Sequence, residues 1–222
     1  MAIATRLSIY NGACALIGER ILQPASAGAT YSAEDRESRR ALDDIWDRGG
    51  VNTCLAAGLW NLAKRTIQWN YDPDYTPPFG YQCAFGHPTD WVRWMAICVD
   101  PYMQAPLLQY DDQGGYLFCD LQQIYVAYVS NDKAFGMNMA AWPDAFQRYV
   151  EAYFAAAVCQ RVTGDANKTV KCEKERDATL IKAKSTDAMN EATTLLPAGN
   201  WRMARHGRRQ TYDRGNPYSL YN

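Results

Sequence analysis

From Thr66 to Val129 the chain loses helical periodicity. Aromatic and β-branched residues dominate there, punctuated by Pro and Gly, while both flanks repeat apolar residues every three to four positions. This change of period constrains the fold more than any motif. Helices from the two ends have to pack on one another, and a small sheet has to bud from the middle.

Thr5 to Gly18 reads as a first helix, with Ile9, Ala13, Leu16 and Ile17 at helical spacing and Gly18 as its stop. After a turn-rich connector, Ser32 has the chemistry of an N-cap and Asp35 that of a capping-box partner. A second helix is expected over Ala33 to Asp47, with Ala41, Leu42, Ile45 and Trp46 on its apolar side and Gly49-Gly50 as the break. A third is expected from Val51 to Leu62, ending near Lys64-Arg65. In the middle, Thr66–Trp69, Trp91–Val99 and Ile124–Val129 read as strands, and Asp72–Gly86, with Pro73, Pro77, Pro78 and Gly80, as a loop. Asp111–Gly115, between the strand-like runs Pro106–Tyr110 and Tyr116–Cys119, has a hairpin signature.

Trp142-Pro143 opens a long helix. Its stripe of Phe146, Tyr149, Val150, Tyr153, Phe154, Ala157, Val158 and Val162 reads as core, and Gly164 ends it. A charged helix follows from about Asn167 to Thr194, with Ala178, Ile181, Ala188 and Ala192 as a thin apolar strip, and Pro197 stops it. The expectation is therefore an α+β fold, mainly α. A helical bundle comes from segments 1–65 and 133–197, a small antiparallel β-sheet from the inserted segment 66–132, and an extended arm from 198–222.

The formal net charge of -1 selects no partner for the chain as a whole, and a hydrophobic fraction of 48% argues against disorder. The seven cysteines are odd in number and none is spaced C-x-x-C, so they read as buried reduced thiols rather than a disulfide framework or zinc ribbon. The N-terminus lacks signal-peptide character, and the densest apolar run, Tyr153–Cys159, is too short to cross a bilayer. A soluble protein without a membrane partner is expected.

Catalytic motifs are missing from the sequence. His87 and His206 have no partner at metal-ligand spacing, and no P-loop, dinucleotide-binding or nucleophile-elbow pattern occurs. Asp111-Asp112 reads as part of a hairpin turn and Asp43-Asp44 as a solvated helix face. No catalytic residue, cofactor or metal site is assigned. The C-terminal arm is the one segment of single sign. Trp201 to Asn222 carries five arginines against Asp213, a net +4 that leaves -5 on the remaining chain. Its Trp201, Arg202, Arg205, Arg208, Arg209, Tyr212, Tyr218 and Tyr221 are the candidate partner-binding residues. Arginine with Tyr and Trp suits a protein hot spot as well as a phosphate track.

Five short segments, in order, resemble the tailed-phage family of tail tubular protein A-like head-to-tail adaptors. They are Ile9–Gly18, Leu59–Arg65, the Pro-x-Asp turn with its aromatic and Arg in His87–Arg93, the Tyr-rich Tyr125–Asp132, and Trp142–Phe146 at the start of an Ala-rich helix. The resemblance spans about residues 3 to 205. Tyr71–Gln82 is longer and more Pro-rich than the family pattern, and the tail beyond Arg205 does not align with it. What the resemblance implies is a non-catalytic virion protein of the neck, assembled in the host cytoplasm. It would form a homo-oligomeric ring, commonly twelvefold, beneath the portal after DNA packaging. The implied partners are the portal protein, neighbouring adaptor subunits and tail or nozzle proteins, with genomic DNA passing through the lumen without sequence-specific binding. Two other readings stand beside it: a DNA-contacting head-completion or packaging accessory that uses the basic arm, and a hydrolase whose site carries no motif.

Overall fold

Thr5 starts the first helix by chemistry its own side chain supplies. Its hydroxyl accepts from the Ser8 backbone N–H, and the Thr5 backbone N–H donates to the Ser8 hydroxyl, so two otherwise orphaned donors are satisfied at the head of α1 (Arg6–Ile17). Gly18 ends it at φ 83, a left-handed conformation open to glycine. The computed structural model describes residues 4–32, 34, 36–77 and 80–190, all within one compact unit, Met1–Asn190.

The second helix, α2 (Glu37–Asp47), begins four residues later than the capping pattern predicts. The Ser32 hydroxyl accepts from the Glu34 N–H in a local turn instead. The Glu34 carboxylate accepts from the Gln23 N–H and pairs with Arg36, and Arg36 donates to the carbonyls of Arg20 and Ile21. These contacts hold Arg36 extended against the connector, and Ala33 and Asp35 lie outside the described residues. The third helix, α3 (Gly50–Ala56), is also shorter than expected. The chain doubles back so that the Trp60 indole N–H donates to the Cys54 carbonyl at 3.0 Å. Gly58 lies against that indole, and a Cβ there would crowd it. A 3-10 turn, Asn61–Ala63, then leads into the sheets.

The middle of the chain builds two three-stranded antiparallel sheets, not one. β1 (Lys64–Asn70), β6 (Gln123–Ser130) and β3 (Trp91–Cys98) form the first, with β6 central; β2 (Cys83–Gly86), β5 (Tyr116–Cys119) and β4 (Asp111–Gln113) form the second. β2 falls in a segment read from its prolines as loop. The hairpin turn is the pair Gly114-Gly115, at φ 62 and 83, so Asp111 and Asp112 are strand residues rather than turn residues. Pro106–Tyr110 forms no strand beyond a single bridge from Pro106 to Cys98.

Period-two alternation along β6 connects two cores. Ile124, Val126 and Tyr128 pack with Phe85, Leu117 and Cys119 of the second sheet, and Val129 joins the helical core. That helical core centres on α4 (Asp144–Thr163). Phe146, Val150, Phe154 and Val158 meet Ile9 and Ala13 of α1, Leu42 of α2 and Leu55 of α3. The expected α4 stripe is core, apart from exposed Ala157 and half-buried Tyr153 and Val162. Asp165 caps α5 (Ala166–Met189), which contributes only Cys172 and Ala183 as fully buried apolar residues. Of its expected apolar strip, Ala178, Ile181 and Ala188 are exposed, and Ala192 lies outside the described residues.

Of the Leu59-Trp60 pair only Trp60 is core, at 1% exposure; Leu59 is exposed. The Trp60 ring meets Phe146 edge-on at 4.8 Å and stacks on Tyr149 at 6.1 Å. Trp60→Ala is expected to cost about 3–5 kcal/mol by urea unfolding. Trp60→Phe keeps most of the ring and should cost clearly less. Equal losses for the two would place the effect in the N–H bond rather than in packing.

Candidate interaction surfaces

The turn from Pro88 to Arg93 is a structural joint. Asp90 receives hydrogen bonds from Arg65 Nη1 at 2.8 Å, from the Tyr128 hydroxyl at 3.0 Å and from the Ser130 hydroxyl. Its carbonyl accepts from the Asn131 N–H at 2.9 Å. Burial pushes the Asp90 carboxyl up, but the bonds from Ser130, Arg65 and Tyr128 outweigh it and hold the group below the usual carboxylate range. Burial and the same carboxylate push Tyr128 up to about 12. The Arg65 guanidinium also lies over the Phe135 ring at 5.4 Å. Arg93 donates to the Ala56 carbonyl at 3.1 Å and ties β3 to α3.

His87 belongs to a second joint, between the sheets. Its ring lies 4.6 Å from Trp91 and 5.1 Å from Trp94, and Trp94 Nε1 donates to Asp112 Oδ2 at 2.6 Å. His87 Nε2 is 3.0 Å from Asp112 Oδ1, yet the ring's N–H direction misses that oxygen, so the contact is close without being an aligned hydrogen bond. Asp112 on β4 is thereby held against β3. Among the described residues no hydroxyl or thiol bonds to His87, and no group of three or more His, Cys, Asp or Glu is placed to hold a metal ion. All seven cysteines are buried and unbridged, and burial pushes the thiols of Cys14, Cys83, Cys98 and Cys119 up, away from the thiolate that nucleophilic chemistry needs.

Asp43 and Asp44 are more than a solvated face. Asp43 accepts from Arg6, Tyr10 and Arg39, and Arg161 reaches both Glu37 and Asp44, so the pair ties α2 to α1 and α4.

The uncovered apolar surface lies elsewhere. A groove of about 880 Å³ runs between α1 and α5 over α4, with Gly12, Ala15 and Leu16 on one wall and Ala178 on the other. The Glu151 side chain lies in it against Gly12, where a Cβ would overlap the carboxyl. Glu151 accepts from Gln147 Nε2 at 2.8 Å, and burial pushes its carboxyl up. On the sheet side, the loop after β3 projects Tyr102, 80% exposed, and Leu108, 86% exposed. Asp100 braces this loop by accepting from the backbone of Tyr102, Gln104 and Ala105.

The arm residues Trp201, Arg202, Arg205, Arg208, Arg209, Tyr212, Tyr218 and Tyr221, with His206, lie outside the described residues. The groove is not legible in the sequence because its walls come from three helices far apart along the chain. The sole local signal is the run of small residues in α1. Among the described residues no helix is long and apolar enough to cross a membrane. No protein-family model and no curated protein matches the chain.

Asp90→Asn leaves three donors facing a neutral amide and should cost about 2 kcal/mol at neutral pH. Because the Asp90 pKa is depressed on folding, its contribution is present above the ordinary carboxylate value of about 3.9 and is lost as pH falls through the lower folded value. Chemical denaturation across acid pH should therefore show a flatter loss of stability in the variant than in wild type. Parallel profiles would place the acid sensitivity elsewhere.

Proposed function

We propose that this chain is a structural subunit of a head-to-tail adaptor ring in a tailed bacteriophage, joining the portal to the tail after DNA packaging. The observation that carries the reading is the division of uncovered apolar surface between two parts of the body. The helical side has the groove and the outer face of α5, and the sheet side has the loop bearing Tyr102 and Leu108. A ring subunit needs contacts with a neighbour on each flank and a further contact along the ring axis. In this reading the helices form the bundle that packs side by side, the Tyr102–Leu108 loop meets a tail or nozzle protein, and genomic DNA passes through the lumen without base recognition. The order of the five family-like segments supports the same assignment.

The arm completes the reading. Trp201, Tyr212, Tyr218 and Tyr221 supply apolar anchors on the portal or an adjacent adaptor, and Arg202, Arg205, Arg208 and Arg209 grip carboxylates bidentately. The single sign of the arm also favours a second reading, a head-completion or packaging accessory that contacts DNA. Ionic strength separates the two, because counterion release makes phosphate binding fall steeply with salt while an anchored aromatic interface weakens little.

Classification of intact particles at the neck should place this chain in a ring below the portal. Protein truncated after Gly199 should unfold with the same midpoint as the full chain yet fail to attach to portal-bearing heads. Attachment equal to that of the full chain would remove the docking role from the arm, and binding lost steeply with salt would move the assignment to DNA.

A further inference from the structure

The second sheet sets two thiols face to face. Cys83 opens β2 and Cys119 closes β5, and the antiparallel register places them directly opposite each other. The pairing is held on both sides of them. Ala84 lies opposite Phe118, and one step beyond the cysteines the Gln82 N–H donates to the Asp120 carboxylate at 3.1 Å. At the other end of the ladder, in the same register, the His87 N–H donates to the Gly115 carbonyl at 2.9 Å. Counting back from there by twos makes Cys83 and Cys119 a hydrogen-bonded pair of residues. Directly opposed side chains share one face of a sheet, and here it is the inner face, where both cysteines pack with Phe85, Leu117, Ile124 and Val126.

We propose that Cys83 and Cys119 are a redox-closing pair, two thiols under reducing conditions and a disulfide that staples β2 to β5 under oxidising ones. The backbone suits the bond. In a hydrogen-bonded antiparallel pair the Cα atoms lie about 5.5 Å apart, inside the range of about 4.4–6.8 Å that disulfides span. Cross-strand Cβ atoms start about 4.5–5.5 Å apart and close to about 3.8 Å in the bond. β2 can supply that movement, because it is a four-residue edge strand and Cys83 is its first residue. The same position is the way in for an oxidant. Cys83 and Cys119 are 6% and 0% exposed, and burial pushes both thiols up, so they are unreactive while the ladder is closed. Fraying of β2 from Cys83 brings the pair to solvent. With a low-molecular-weight disulfide such as oxidised glutathione, the Cys83 thiol gives up its proton and its sulfur attacks one glutathione sulfur, expelling the other as a thiolate. Cys119, deprotonated in turn, attacks the Cys83 sulfur of the mixed disulfide and expels the second glutathione. The two protons end on the two glutathione thiolates, so the protein is oxidised by two electrons and the glutathione disulfide is reduced by two. The closed bond encircles residues 83–119, which carry β3, β4 and the loop bearing Tyr102 and Leu108. The strands of the second sheet are only three and four residues long, so this sheet has most to gain from a cross-link.

The test uses the full chain, held without denaturant in reduced or in oxidised glutathione and then unfolded and alkylated. Trypsin cleaves at Arg65, Arg93 and Lys133, which leaves Cys83 on one peptide and Cys98 and Cys119 on the next. After oxidation these two peptides should run as one linked species, lighter than their sum by two hydrogens. Fragment sequencing of the wild-type species should assign the link to Cys119. The link should persist in Cys98→Ala and be absent from Cys83→Ala and Cys119→Ala. Oxidation should raise the thermal midpoint of wild type by roughly 5–10 °C and leave those of the two unlinked variants where they stand in reducing buffer. Full alkylation of Cys83 and Cys119 after the oxidised incubation overturns the proposal and makes the pair two small core residues. A link through Cys98, a link that forms only when denaturant accompanies the oxidant, or a midpoint lowered by oxidation overturns it as well.

Discussion

An indole N–H placed inside a core has to find an acceptor there, and that of Trp60 finds the Cys54 carbonyl at 3.0 Å. The bond turns the chain sharply after α3, and the path of the remaining chain depends on that turn. It delivers the ring onto Phe146 and Tyr149 of α4, across more than eighty residues of sequence. The next residue extends the same closure to α5: the Asn61 backbone N–H and side-chain amide both donate to the buried Asp187 carboxylate. Two consecutive residues thus hold both C-terminal helices against the segment that enters the sheets. Long-range closure costs loop entropy, and here it is offset by packing a large ring and satisfying a buried acid at one place.

The same turn aims β1 at β6, and there a second set of polar contacts takes over. Asp90 draws together Arg65 of β1 and Tyr128 and Ser130 of β6 from the turn just before β3, so one carboxylate links all three strands of the first sheet near one end. At the same end Gly136 donates its N–H to the Ser130 carbonyl, packs against Leu55 and Ala63, and offers its own carbonyl to the Trp142 indole N–H. The polypeptide leaves the sheet and re-enters the helical layer through this contact, and only a residue without a side chain fits so near the backbone of β6. Helical core, first sheet and second sheet are therefore joined by directional bonds at the edges and by non-directional apolar burial between them.

Helix periodicity makes α1 and α4 legible to within a residue or two, because each has a clear apolar face and a glycine stop at Gly18 or Gly164. The strongest strand, β6, is legible for the same reason in period two. Sequence and structure part where a side chain prefers a distant partner to its local one. Ser32 caps a turn because Glu34 and Arg36 are bound to the connector, and α3 stops early because Trp60 folds back on it. β2 is hidden by Pro73, Pro77 and Pro78, which lie before it rather than in it, and only pairing with β5 defines it. The His87–Arg93 segment is legible as an important turn, but its partners Arg65, Asp112, Tyr128 and Ser130 come from other strands, which local spacing cannot reveal.

The inversion of α5 has the widest consequence. Its strip of Ala178, Ile181 and Ala188 has the look of a buried face, yet the helix turns a different and thinner face inward. A helix of 24 residues that buries so little apolar surface gains little from tertiary packing on its own body. It is held by its cap at Asp165, by the tie from Asn61 to Asp187, and by α4 along one side. Val170 and Ile181, on its outer surface, add nothing to the packing of the body. Residue for residue, α5 thus buries less apolar surface than α4 and depends more on its polar ties at Asp165 and Asp187.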